Sequence, residues 1–344
     1  MKGKAAILVK NKAPLVVADI ELPDKLDYGQ VLVRVHYSGI CGAQINEIDA
    51  VKGEDKFLPH LLGHEGGGVV EKTGPGVTVV KKGDHVVMHW MKGDGIQSAT
   101  VKYRWGKKTV NAGWVTTFNE YAVVSENRIT PIPGDYDLKN VTLYGCALTT
   151  AFGVIHNNAR LKAGESIVVF GSGGVGSAII MAARVCGANP IAAMDINDYK
   201  LKKARELGAT NIINSKLKII NEKFNIICPG GFDVAVDTTG IKEIREMAYE
   251  ITHATGRTVL VGVPPKGQKI EIDSFPLHFG KIVTGSHGGE ANPTRDIPQL
   301  IKLEKTGAFD SHDLITHVYD LKHINDAINL VRSGNTIRVV VRLF

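Results

Sequence analysis

The chain has few cysteines, no strong excess of charge of one sign, no internal repeat and no low-complexity segment. Each absence removes a class of protein. Its four cysteines, Cys41, Cys146, Cys186 and Cys228, show no paired spacing, so they are not the disulfide framework of a small secreted domain. The opening MKGKAAILVKNK has too short an apolar core for a signal peptide, and a cytoplasmic location is the expectation. The net charge of +6, from 41 basic and 35 acidic residues, is modest. Its densest basic patch runs from Lys200 to Arg205 on one expected helix face. No recognition motif accompanies that patch, so no nucleic-acid partner is expected. Residues 166–183 are uncharged and long enough to cross a bilayer, but glycines split the run, and no membrane partner is expected. What remains is an ordinary soluble composition, 44% hydrophobic and 22% charged. At 344 residues the chain has room for two domains with separate cores.

The split run is itself the most informative stretch. Ile167 to Phe170 is β-branched and aromatic, and reads as a buried parallel strand. Gly171, Gly173, Gly174 and Gly176 follow, and then the small-residue helix SAIIMAARVCGA. A strand, a GxGxxG turn and a helix in that order form the dinucleotide fingerprint. Gly171 allows the tight turn, Gly173 lets the backbone approach a pyrophosphate, and Gly176 lets the helix pack on the strand. The helix start offers free N–H groups and a positive dipole end to phosphate. The next strand ends at Asp195, nineteen residues after Gly176, where a carboxylate can accept from both hydroxyls of an adenosine ribose.

Before the fingerprint the pattern differs. Residues 5–10, 14–20 and 30–38 give short apolar runs broken by Pro, Asp and Gly, an antiparallel β pattern. Gly39-Ile40-Cys41-Gly42 leads into a short helix around Gln44 to Val51. More strands follow through residues 58–90, so a small barrel-like β domain is expected. Residues 92–113 are rich in Gly and Lys and read as an exposed lobe or loop. Strands resume at TTFNEYAVVS and RITPIP, and a helix carrying Cys146 leads to the fingerprint. After Asp195, helices and apolar strands alternate regularly, as in a doubly wound α/β sheet. The tail gives two helices, RDIPQLIKLEKTG and HINDAINLVRSG, and a last strand, TIRVVVRLF.

A second constellation lies in the β region. Cys41, His64 and Cys146 each sit beside glycine, in GICG, GHEGGG and YGCAL. Two thiolates and an imidazole leave one tetrahedral position of zinc open, as in catalytic sites. Spacing alone does not join them, because 105 residues separate the cysteines. A buried Cys is usually just a small hydrophobe, and this is the reading for Cys186 and Cys228.

GICG, GHEGGGVVEKTGPGVTVVKKGDHV, GCALTTAFGV, GSGGVG, AMDINDYK, VGVPP and SGNTIR occur here in the order seen in the zinc-dependent medium-chain alcohol dehydrogenases, and the chain resembles that family over nearly its whole length. The resemblance implies an α/β protein: a GroES-like β-barrel catalytic domain, residues 1–147 and 287–344, with an inserted doubly wound parallel-sheet Rossmann domain, residues 148–286. It implies that Cys41, His64 and Cys146 bind the catalytic zinc and that Glu65 stands behind the metal as an acid able to replace a ligand transiently. Thr150, Val175 and Val261 would line the nicotinamide of NAD, Asp195 and Lys200 would hold the adenosine ribose, and Arg338 would approach the pyrophosphate. His287 would lie near the domain junction and Trp90 in the substrate wall. A small alcohol or carbonyl compound is the expected substrate and a homodimer or homotetramer the expected assembly.

Two departures from the family pattern shape the expectation. The lobe at residues 92–113 lacks the four cysteines that hold a structural zinc in many members, so one zinc per chain is expected. After Cys41 the chain reads Gly42-Ala43-Gln44-Ile45-Asn46, so the usual hydroxyl, carboxylate and imidazole of the proton route are missing. Gln44 and Asn46, with Glu47 next to them, would then face vicinal hydroxyls of a sugar, polyol or cyclitol, or else face solvent or only brace the short helix. Zinc-free reductases of the same architecture and non-catalytic structural members are the rival classes.

Overall fold

The computed structural model describes residues 1–51, 53–216 and 220–344, the last segment by backbone alone at 220 and 221. The uncharged run folds as its glycines dictate. Ile167–Phe170 is a wholly buried strand and Gly174–Val185 a helix. Each of those strand side chains gains about 1.5–3 kcal/mol from burial. A Cβ on Gly176 would lie 1.8 Å from the carbonyl oxygen of Gly171, so only glycine lets the helix start this close to the strand. Among the described residues no single helix is long and apolar enough to cross a membrane.

Six parallel strands form the sheet around this unit, in the spatial order Asn211–Asn214, Ile191–Asp195, Ile167–Phe170, Phe232–Asp237, Thr252–Leu260 and Ile282–Gly285. The chain starts in the middle, winds out to one edge, then returns to build the other side. That reversal opens a crevice at the carboxyl ends of Ile167–Phe170 and Phe232–Asp237. The doubly wound pattern read after Asp195 is therefore present.

The antiparallel region makes two further structures. Lys2–Leu8, Val16–Glu21, Lys102–Trp105, Lys108–Asn111 and His60–Leu61 close a five-stranded barrel. A second sheet runs Ile129–Ile132, His85–His89, Glu65–Thr73, Gln30–Ile40, Arg338–Arg342, Ile315–Asp320, and Tyr121–Ser125 also pairs with Gln30–Ile40. The last strand thus returns from beyond the parallel sheet to pair antiparallel with the first third of the chain. Val31, Val33 and Val35 alternate into this half's core. Ile324, Ala327 and Ile328 of the helix Ile324–Ser333 join them at helical spacing.

Two expectations need correction. Residues 92–113 are not all exposed lobe, because the hairpin of Lys102–Trp105 and Lys108–Asn111 is barrel wall, with Tyr103 and Val110 fully buried. Each strand is four residues long and carries lysine on its outer face, so the apolar alternation is too short to read. Cys146 does not sit within a helix. It stands at the break between a 3₁₀ turn, Thr142–Gly145, and the helix Ala147–Gly153, with φ −151° and ψ −67°.

Candidate metal and dinucleotide site

The three expected ligands come from three different local structures. Cys41 follows the strand Gln30–Ile40, His64 immediately precedes Glu65–Thr73, and Cys146 occupies the helix break. The two strands pair antiparallel, with Ser38 opposite Gly66, which brings Cys41 and His64 to one end of the sheet. Gly145 carries Cys146 in close: a Cβ there would meet the carbonyl oxygen of Met88 at 2.3 Å and the Glu65 Cα at 2.8 Å. The donor atoms of Cys41, His64 and Cys146 all lie within 4.8 Å of one another.

This donor set fits a metal ion. Both cysteines are buried and free of disulfide, and the buried Nε2 of His64 has no hydrogen-bond partner. The neighbouring Cys146 draws the Cys41 thiol well below its usual range, burial opposes it, and His64 and Arg338 reinforce the shift. Cys41 and burial together push the Cys146 thiol well up. Two buried sulfurs beside an imidazole nitrogen with no hydrogen-bond partner are the donor types that a zinc ion takes.

Of the two readings left open for Gln44, the structure shows the bracing one, since the side chain is 2% exposed and caps the short helix. Its Oε1 accepts from the Cys41 backbone N–H at 3.1 Å, and its Nε2 contacts His64 Nδ1. One amide therefore contacts two of the three candidate donors, the kind of support that fixes ligand orientation in metal sites. The available signal was its place three residues after Cys41, where a Gln caps the helix start at Gly42. Ala43 beside it is exposed.

Glu65 is fully buried behind this cluster and pairs through Oε1 with Arg338 Nη2. Burial raises the Glu65 carboxyl, and Arg338 only partly offsets it. Burial alone would lower the Arg338 guanidinium, but the carboxylate and the two thiols outweigh it and hold it up. Arg338 also reaches the fingerprint, since a Cβ on Gly174 would sit 2.6 Å from its Cδ. The guanidinium expected at the pyrophosphate thus lies between the helix start and the metal cluster, already engaged by Glu65.

At the dinucleotide end, Asp195 closes its strand, and its Oδ2 accepts from the Ser172 N–H of the glycine turn at 2.8 Å. Oδ1 accepts from Asn197 N–H at 3.0 Å. Val175 and Val261 are half-buried against the same core, Thr150 is buried, and Lys200 is half-buried. Gly171 and Gly173 frame the turn before the helix. Trp90 bridges the two halves of the site, with its ring 5.0 Å from His287, edge-on, and 6.5 Å from His64.

A cavity of about 810 Å³ opens from Gln44 and His64. Leu61, Leu62, Phe57, Trp114 and Val115 give it apolar wall, and Glu47, Asp55, His60, Lys102 and Asn111 give it polar groups. Three of these polar groups cluster: the nearest atoms of Glu47, Asp55 and His60 lie within 4.8 Å of one another. His60 Nε2 is 2.5 Å from Asp55 Oδ2, its Nδ1 is 2.9 Å from the Leu61 carbonyl, and Asp55 Oδ1 accepts from Phe57 N–H at 2.8 Å. Sequence reasoning passed over this pair because a His four residues before a ligand, among twelve, carries no signal of its own.

Residues 27–134 match the family described as alcohol dehydrogenase GroES-like domain, and residues 174–305 match zinc-binding dehydrogenase. The chain is 32% identical to an S-(hydroxymethyl)glutathione dehydrogenase of Escherichia coli O1:K1, covering 99% of this chain and 100% of the relative. This chain is a zinc-dependent medium-chain alcohol dehydrogenase by family. Solved structures agree. An alcohol dehydrogenase zinc-binding domain protein from Burkholderia ambifaria superposes with a TM-score of 0.93 at 30% identity, covering 100% of this chain and 99% of that one. Benzyl alcohol dehydrogenase from Acinetobacter calcoaceticus gives 0.90 at 27% identity over 100% of both chains. The closed barrel is thus the GroES-like part and the parallel sheet the Rossmann part of a dehydrogenase. The chain is an oxidoreductase acting on CH–OH groups with zinc and a nicotinamide cofactor.

Proposed function

We propose that this dehydrogenase uses one zinc, held by Cys41, His64 and Cys146, and NAD to oxidise a secondary hydroxyl of a sugar, polyol or cyclitol, or to reduce the matching ketone. The observation that carries the substrate class is the cavity beside His64, whose wall presents the side chains of Glu47, Asp55, His60 and Asn111 together. When bound, zinc supplies Lewis acidity to the substrate oxygen, and the nicotinamide exchanges hydride with the carbon bearing it. The chain's own residues do the rest. Gln44 orients two metal donors, Glu65 stands behind them as the acid able to replace one, and Arg338 links that acid to the phosphate-binding turn. Thr150, Val175 and Val261 form the nicotinamide wall, and Trp90 closes the substrate side. The catalytic half comprises residues 1–147 and 287–344, the cofactor half residues 148–286.

The test compares kcat/KM for ethanol, benzyl alcohol, a plain secondary alcohol and a panel of polyols, in the wild type and in Ala43→Ser. The expected result is a polyol preference in the wild type, with simple alcohols gaining from the new hydroxyl. A positioned proton-transfer group is worth about 10²–10⁴-fold, which bounds that gain. Equal efficiency with simple alcohols and the best polyol contradicts the substrate class. The apolar wall of Phe57, Leu61, Leu62, Trp114 and Val115 favours a second reading, reduction of simple aldehydes or ketones, which the same panel separates.

The NAD preference rests on Asp195. Its carboxylate is fixed beside the glycine turn by two backbone N–H groups, where a ribose 2′-hydroxyl can donate to it and a 2′-phosphate meets like charge. Juxtaposed like charges cost several kcal/mol, so kcat/KM should favour NAD over NADP by on the order of 10²-fold. Asp195→Ala should erode that ratio mainly through KM. Equal wild-type efficiency with both cofactors would refute the assignment.

A further inference from the structure

A buried charge is costly unless something compensates it. Arg128 is 7% exposed. Burial pulls its guanidinium down from the usual range, and among the described residues no acid offsets that pull. Arg338, also buried, has Glu65 for a partner. Arg128 instead meets two oxygens and a ring. One terminal nitrogen, Nη1, donates to the Trp90 carbonyl, and Nη2 donates to Gln97 Oε1 at 3.2 Å. The guanidinium carbon lies 5.0 Å from the centre of the Trp114 ring, over its face. Trp114 lines the cavity that opens from His64, and the Trp90 ring lies 6.5 Å from the His64 ring. One cation thus joins an indole beside the metal donors to an indole on the cavity wall.

The local backbone does not need Arg128 to hold it. The 3₁₀ turn Glu126–Arg128 follows the strand Tyr121–Ser125. Glu126 accepts from the N–H groups of Thr78, Val79 and Ile96 at 2.6, 2.9 and 2.8 Å, which fixes the turn. Ser125 Oγ accepts from Ser98 N–H at 2.8 Å, and the Asn127 carbonyl accepts from Gly93 N–H at 2.9 Å. The Trp114 carbonyl accepts from Ser125 N–H at 3.3 Å, so the backbone of Trp114 is held as well. Its side chain, 51% exposed, is what remains for the guanidinium to fix.

We propose that Arg128 is a specificity-determining positioning residue, which holds the Trp114 indole as a wall of the substrate cavity and ties it to Trp90. The inference rests on reading that cavity as the substrate site. A guanidinium suits the task because its planar fork reaches two oxygens while its face stacks on an indole. The Trp90 carbonyl and Gln97 orient the fork, and the fork orients Trp114. The wall is then ordered before the substrate arrives, which lowers the entropy cost of binding. A substrate long enough to reach Trp114 gains from this, whereas one that ends beside the metal does not.

The test measures kcat and KM on zinc-loaded protein for the smallest and the largest alcohols that the wild type oxidises. Fluorine NMR of fluorotryptophan-labelled protein reads the indoles, with Trp114 assigned by the line missing from Trp114→Leu. In Arg128→Met, KM for the largest substrate should rise about 10-fold, the scale of one cation–indole contact, with kcat and zinc content kept. The smallest substrate should keep its KM. The Trp114 line should move while the Trp105 line stays. Arg128→Lys keeps the charge without the fork, so it should recover only part of the loss, and it serves if Arg128→Met folds poorly. Trp114→Leu should show the same size-dependent loss, and adding Arg128→Met to it should cost the largest substrate nothing more. Losses that multiply in the double variant, or that fall equally on small and large substrates, overturn the inference and leave the dehydrogenase reading intact. A Trp114→Leu protein with unchanged KM for every substrate shows that the cavity is not the substrate site, and the substrate reading then falls together with the inference.

Discussion

Cys146→Ala should lose its zinc and its turnover together. With one sulfur gone, two protein donors remain where the fold brings three within 4.8 Å, and the metal is no longer held. Lewis-acid stabilisation is worth several kcal/mol, so the loss should reach about 10³-fold or more. Cys41→Ala and His64→Ala should behave alike. Gln44→Ala should be graded, because removing the support of a ligand typically costs 10–100-fold in metal affinity or activity. Metal analysis beside initial rates checks the series. A Cys146→Ala protein that keeps full NAD-linked turnover contradicts the site.

Arg338→Met should be the most costly substitution for stability. Arg338 and Glu65 are 3% and 0% exposed, and removing one partner of such a pair costs about 3–5 kcal/mol. The sign with pH follows from Glu65. Its folded-state carboxyl is raised above the ordinary 4.5 even with Arg338 present, and losing the cation raises it further. The folded variant then binds a proton that the unfolded chain releases, so its stability falls as pH rises above the ordinary value. The deficit should therefore be smallest in acid and largest at neutral pH. Adding Glu65→Gln should recover much of the loss, since a buried amide needs no counterion. Denaturant unfolding across pH measures all three proteins. A deficit below about 1 kcal/mol for Arg338→Met at neutral pH would place the pair among those that hold little.

What the sequence revealed follows the distance between interacting residues. Ile167 to Val185 was readable because strand, turn and helix are contiguous, and each glycine answers a local steric demand. The antiparallel half was readable only in part. Residues 30–40 are long enough to show alternation, whereas the two four-residue strands around Gly106 hide Tyr103 and Val110 among lysines. Cys41, His64 and Cys146 came from resemblance to a family, since their junction depends on a strand pairing and a helix break that no spacing announces. The pairing of Arg338 with Glu65 spans 273 residues and could not be read from either neighbourhood. Gln44 was visible as a helix cap but not as a brace on His64, because that contact is made across the fold. His60 and Asp55 are close in sequence, yet a cavity shared with a metal site is a property of the barrel.

The account stands most directly on the metal and its donors. Zinc-edge X-ray absorption on the purified protein, with metal quantified per chain, reads both at once. The account predicts one zinc per chain with two sulfurs at about 2.3 Å, one imidazole nitrogen at about 2.0–2.1 Å, and a light non-protein donor in the fourth position. Two tightly held zincs per chain, a four-sulfur shell drawing in Cys186 and Cys228, or no bound zinc in an active protein would contradict it.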